Sequence, residues 1–299
     1  MLAELTAILN ADLPSQDDAA KLSETLYNRC YMRSILDSAR PSGTEAATDL
    51  TEALRAANCS RSKWVEGWRI DQVLDDGRIV ARKNGAERAF LPGDYIAHRG
   101  LGAGPKEGTN ITVFVAAGST EIQPAFYYAF GETIGEDEPA GVMRFYWNIQ
   151  PEGAPRLMAA LTRELNRFQL PFRFKCLNNT SFFPRRDAAV LYIDRRYYFV
   201  TALLVESVHG EVLRWLSGST PLFTKPLAHG LALAEDPGDS FGQHRCAILA
   251  GAMIASRGKP VEERLAEVRR RFEQRGLSLD TPWLNPNSPG RYEYPVATP

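Results

Sequence analysis

"PFRFKCLNNTSFFPRRDAAVLYI", Pro171 to Ile193, contains two stretches with different rhythms. In the first, Phe172, Phe174 and Cys176 alternate with Arg173 and Lys175. A period of two predicts a strand with one apolar and one cationic face. The second, residues 188–193, is continuously apolar and reads as a buried strand, introduced by Arg185, Arg186 and Asp187. Upstream, "VMRFYWNI" (142–149) repeats the alternation, with Met143, Phe145, Trp147 and Ile149 on one side and Arg144, Tyr146 and Asn148 on the other. If these strands share a sheet, one face builds the core. The other gathers two arginines, a lysine and a tyrosine. A solvated polar face explains one such strand, but two carrying the same sign of charge favour an anion site.

The flanking segments set the fold class. Residues 1–60 carry helical periodicity in "LAELTAILN", "AAKLSETLYNRCYMRSIL" and "TDLTEALRAANCS", the last with Thr48 as a candidate N-cap. From Trp64 the period shortens to a meander separated by "DDGR" and "NGAE". A glycine-rich loop follows at 100–110. Next come strands near 111–117 and 142–149, a helix within 152–168, and a helical region near 195–216. A single strand is expected over about 226–233, then helices near 241–256 and 260–276. The expected class is α+β: a helical N-terminal part, then a mostly antiparallel sheet with packed helices. The expected division is a helical segment over 1–60 and an α+β domain over 61–299, the two possibly continuous.

Bulk properties limit the function. Lys plus Arg number 35 against 36 Asp plus Glu, so a broad nucleic-acid surface is disfavoured while a local anion site is not. The four cysteines form no CxxC pair, which argues against zinc. No signal peptide or membrane-length apolar run is evident, and a cytoplasmic protein is the expectation. Nucleophile-elbow, P-loop and HExxH motifs do not occur. Ser240 is a good N-cap for the helix that carries His244 and Arg245, and a helix start favours anions. Lys225 and His229 lie in the segment before it. His98 and His209 connect to nothing in the sequence.

Taken together, "RFYWNIQPEGAPRLMAALTRELN", "PFRFKCL", "RRDAAVLYI" and "AHGLALAEDPGDSFGQHRC" resemble the HopA effector-like family. The likeness runs from about Leu26 to about Arg270 and is densest between 142 and 250. That family includes a plant-pathogen type III effector. It also includes standalone lyases encoded beside phosphotransferase-like kinases in class V lanthipeptide and thioamitide pathways. The resemblance therefore implies a phosphoserine/phosphothreonine lyase. Such an enzyme eliminates phosphate from a kinase-phosphorylated precursor peptide to give dehydroalanine or dehydrobutyrine. A Ser/Thr kinase of the phosphotransferase-like fold is the implied partner, and no metal or other cofactor is required. The implied residue types are a Lys base, a His acid and phosphate-binding arginines.

Their placement follows from the patterns above. Lys175, beside Arg173 and Arg144, is the candidate base, because like charge depresses a lysine pKa. His244 is the candidate acid and His229 the second choice. Arg144, Arg186 and Arg245 form the expected phosphate clamp, with Asp187 orienting Arg186. Tyr146 and Lys225 are further candidate contacts. Two other readings remain: a non-catalytic phosphopeptide- or leader-binding module, and an effector-like lyase acting on a host protein. The last ranks lowest, because the chain is expected to begin directly with the domain's helices.

Overall fold

The computed structural model describes residues 1–11, 13–14, 18–36, 47–83, 85–97, 104–135, 141–183 and 185–295. His98 and the start of the glycine-rich loop lie outside the described residues. The alternating segments do form strands: β8 (Val142–Trp147), β9 (Phe172–Leu177) and β10 (Ala189–Asp194). With β6 (Gly118–Ser119), β7 (Phe126–Phe130), β11 (Lys225–Ala228) and β12 (Leu231–Glu235) they make one antiparallel sheet of order β11-β12-β8-β10-β9-β7-β6. The fold is α+β, as the periodicities predict.

Strand β10 lies between the two alternating strands, so β8 and β9 are not neighbours. In its register Tyr192 faces Arg144 on one side and Arg173 on the other, and Val190 likewise faces Tyr146 and Lys175. Residues paired across strands project from the same face. Arg144, Tyr192 and Arg173 therefore form one row, and Tyr146, Val190 and Lys175 the next.

Helices cover both faces. The apolar face, with Phe145, Trp147, Phe174 and Leu191, packs with residues of α3 (Thr51–Ala57), α4 (Ala154–Arg167) and α5 (Tyr198–Val212). In α4 the apolar side chains Leu157, Met158, Leu161 and Leu165 recur at three- and four-residue spacing and are all buried. The other face is not a wholly solvated polar face. Tyr146, Val190 and Tyr192 join a second core with α1 (Leu2–Asn10), α2 (Ala19–Leu26), α6 (Phe241–Ala255) and α7 (Val261–Glu273). A π-helical turn, Tyr27–Tyr31, extends α2 across that layer.

A five-stranded antiparallel sheet, β1 (Lys63–Val73), β2 (Ile79–Lys83), β3 (Ala86–Phe90), β4 (Tyr95–Ala97) and β5 (Asn110–Val115), has its own core around Trp68, Ile79 and Ile111. Two local expectations are corrected. The segment expected as one strand over 226–233 is a hairpin. It turns at Gly230, whose φ of +66° and closeness to Ser217 O leave no room for a Cβ. Thr48 does not cap α3. Its N–H donates to Thr180 Oγ1, and the Asp49 carboxylate accepts from the first helical N–H, that of Thr51.

Candidate anion site

Strand alternation and the Tyr192 row converge on a cluster of cations and rings at the β8-β10-β9 surface. The guanidinium carbons of Arg173 and Arg144 lie 4.6 and 5.2 Å from the centre of the Tyr192 ring. Lys175 Nζ lies 4.3 Å from the Phe126 ring centre and 5.9 Å from that of Tyr192, and it donates to Gln123 Oε1 at 3.1 Å. Arg185 sits over the same Phe126 ring at 5.6 Å. Four cations thus come from two strands, β8 and β9, and the turn leading into β10. Ring faces attract cations and hold them without neutralising them.

Two carboxylates anchor this cluster. Asp187 accepts two hydrogen bonds from Arg185, both 2.8 Å, and Asp236 accepts two from Arg144, at 2.8 and 3.0 Å. Arg144 also donates to Asp239 O at 2.6 Å. Among the described residues Arg173 forms no ion pair and is exposed. Four cations against two carboxylates leave the patch positive and able to accept an anion. Burial pulls the Lys175 pKa down, and Arg144 and Arg185 push the same way against Tyr128 and Asp187. Burial raises Tyr27, beside Asp187 and Arg185, to about 12.

The other expected site residues fall elsewhere. Asp187 grips Arg185, not Arg186. Arg186 turns inward, pairs with Glu4 at 2.9 Å and approaches Cys30 O, tying α1 to the sheet. Its burial among the N-terminal helices takes it away from the cationic surface. Lys225 pairs with Leu233, which pairs with Phe145, so it projects from the opposite, α5-covered face and donates to Tyr292 O. His229 lies in the β11-β12 hairpin, where its ring contacts Leu216 O at 3.3 Å. Strand β12 is already three positions from β9, about 14 Å. Tyr146 is buried beneath α6, its ring 6.3 Å from Phe241, and its hydroxyl has no hydrogen-bond partner among the described residues.

His244 and Arg245 open onto an adjoining cleft of about 470 Å³ that Asp236, Gly238, Arg275 and Asn285 also line. Asp236 belongs to both places, because it also holds Arg144. Arg245 is fully buried and donates to Pro282 O and Leu284 O, both at 2.9 Å. Burial lowers the His244 pKa, with Arg245 and Arg275 adding to it. Among the described residues no three His, Cys, Asp or Glu side chains converge as a metal site.

Residues 117–284 match the HopA1 effector protein family. The chain belongs to that family. The matched region covers more than half the chain and contains every strand of the seven-stranded sheet, the cationic cluster, and His244 and Arg245 of the cleft. Among solved structures, the effector protein from Pseudomonas syringae pv. tomato strain DC3000 is similar in fold, with a TM-score of 0.53 at 16% identity over 95% of this chain and 96% of that one. The effector protein from Pseudomonas syringae pv. syringae strain 61 aligns at 16% identity over 96% of this chain and 99% of its own, with a TM-score of 0.49. No curated protein matches the chain. No helix among the described residues is long and apolar enough to cross a membrane.

Proposed function

We propose that this HopA1-family protein is a phosphoserine/phosphothreonine lyase that matures a ribosomally made precursor peptide. The observation that carries the reading is Lys175, its pKa lowered, set among Arg144, Arg173 and Arg185. β-Elimination needs a neutral base for the Cα proton and fixed positive charge for the phosphate. Lys175 takes the Cα proton. The Cα=Cβ bond forms as the Cβ–O bond breaks, and phosphate departs against the arginines. Arg173 is the free arm of the clamp, while Arg185 and Arg144 are aimed by Asp187 and Asp236. His244 donates a hydrogen bond or proton on the leaving-group side.

The products are dehydroalanine from phosphoserine and dehydrobutyrine from phosphothreonine. A kinase of the phosphotransferase-like fold supplies the phosphorylated peptide, and cytoplasmic action follows from that partnership. The test is incubation with a synthetic phosphothreonine peptide, with and without leader and kinase, followed by mass spectrometry. Loss of phosphoric acid supports the reading. Binding without loss, under every condition, replaces it with a phosphopeptide-binding module. The family's effectors keep a second reading open, in which the same elimination acts on a host protein.

A further inference from the structure

His244 Nδ1 lies 2.6 Å from Arg245 Nη1. A guanidinium has only donors, so Nδ1 must be the acceptor. An imidazole that accepts at Nδ1 carries its single proton on Nε2. An imidazolium would need a proton on Nδ1 as well, directed at the arginine N–H.

We infer that Arg245 is a positioning residue that locks His244 as a neutral imidazole, so that His244 serves the leaving phosphate as an Nε2–H hydrogen-bond donor and not as an imidazolium acid. This rests on the lyase reading and changes how its histidine works. Arg245 cannot swing away to meet the phosphate itself. Its Nε and Nη2 are spent on the carbonyls of Pro282 and Leu284, and its side chain is wholly buried. The charged groups around the ring act mostly in the same direction. Arg245 on α6 and Arg275 beyond α7 disfavour a protonated ring, while Asp239 before α6 favours it. Asp236, on the cleft wall, is engaged by Arg144. Neutral histidine donors of this kind polarise a departing or developing oxyanion without a proton transfer.

The elimination then balances without a proton from His244. A phosphopeptide bound as its monoanion loses its Cα proton to Lys175, and the electron pair forms the double bond. Phosphate leaves as the dianion with the proton it brought. Lys175 returns its proton to water, and His244 ends as it began.

The test is NMR of the full chain with ¹⁵N-labelled histidine, the His244 signals being assigned by their loss in His244→Gln. The expected tautomer at neutral pH is Nε2–H, favoured at least about tenfold by a hydrogen bond from a charged donor. Inorganic phosphate should leave the ring neutral. Arg245→Met should let both tautomers appear, whereas Arg275→Met should raise the pKa and leave the tautomer alone. A wild-type ring protonated on Nδ1, or an imidazolium formed when phosphate binds, overturns the inference. So does a tautomer that Arg275→Met shifts. The wild-type and Arg275→Met spectra decide the matter even if Arg245→Met does not fold. In the elimination assay, a neutral donor predicts that His244→Gln keeps turnover within roughly tenfold of wild type, because Gln offers an N–H near the same place. His244→Ala should lose roughly 10²–10³-fold. Loss of turnover in His244→Gln equal to that in His244→Ala overturns it. If the tautomer is as expected but no peptide is eliminated, the positioning role stands and the lyase reading fails.

Discussion

Glu4→Gln isolates what the inward arginine of the Arg185–Arg186 pair does. Glu4 and Arg186 meet at 2.9 Å with side chains only 14% and 5% exposed. Glu4 also accepts from Ser34 Oγ at 3.2 Å. Beyond Glu4, the Arg186 guanidinium has Cys30 O at 3.5 Å, and its Nε has no partner among the described residues. Removing the carboxylate charge therefore strands a buried cation, which costs about 3–5 kcal/mol. For a chain of this size that lowers the melting temperature by roughly 6–15 °C. The double change Glu4→Leu with Arg186→Met should recover most of the loss, because apolar pairs of similar volume replace buried ion pairs at little cost. Thermal melts followed by circular dichroism give the stabilities. Phosphopeptide binding, measured well below the melt, should be unchanged in both variants. If Glu4→Gln melts like the wild type while phosphopeptide affinity falls, Arg186 is a phosphate ligand and the structural role assigned to it is wrong.

Lys175→Met should abolish elimination by roughly 10²–10⁴-fold while phosphopeptide binding persists, as single-turnover rates and titrations would show. The wild-type rate should rise with pH through a Lys175 pKa below the ordinary lysine value. Between that folded value and the unfolded one, the unfolded chain holds more protons on Lys175, so this residue makes stability increase with pH across the window. Denaturant melts of wild type against Lys175→Met over that range would detect the difference. Arg173→Ala should cost about 1.5–3 kcal/mol of phosphate affinity with little change in melting, because the side chain is exposed and has no ion pair among the described residues. Glu235→Gln should loosen residues 285–292, because the buried Glu235 carboxylate accepts from Asn285 N, Ser288 Oγ and Tyr292 OH. Faster proteolysis there, alongside a lower melting temperature, checks it.

Much of this molecule is legible from periodicity. The alternation in β8 and β9 correctly separates core from cationic residues, and the apolar spacing of α4 marks its buried stripe. Strand order is not written in any one segment. That β10 lies between its neighbours depends on pairing across the chain, so no single segment marks Tyr192 as the spacer between two arginines. The buried, aromatic strand "FYYAF" (126–130) is not legible in the sequence, because it shows no alternation to contrast with a loop. "RRD" identified a charged turn but not which arginine Asp187 would hold. Residues two apart can reach each other here, and Arg185 rather than its neighbour does so. Closeness in sequence to His229 and His244 groups Lys225 with the site. Its register sends it through to the other side of the sheet.

The Tyr192 row also works as a ruler. Arg144 and Arg173 start two strand spacings apart, about 9–10 Å, too far for one small anion to bridge at the backbone. Their side chains must lean inward over the shared ring to close on it. Arg144 is held from behind by Asp236 and Asp239, whereas Arg173 has no such tether among the described residues. The pair is a vice with one jaw fixed by carboxylate and carbonyl and the other held only by the Tyr192 ring among the described residues. On the proposed lyase reading, such a grip admits the different widths of a serine and a threonine phosphoester without rebuilding the sheet that carries it.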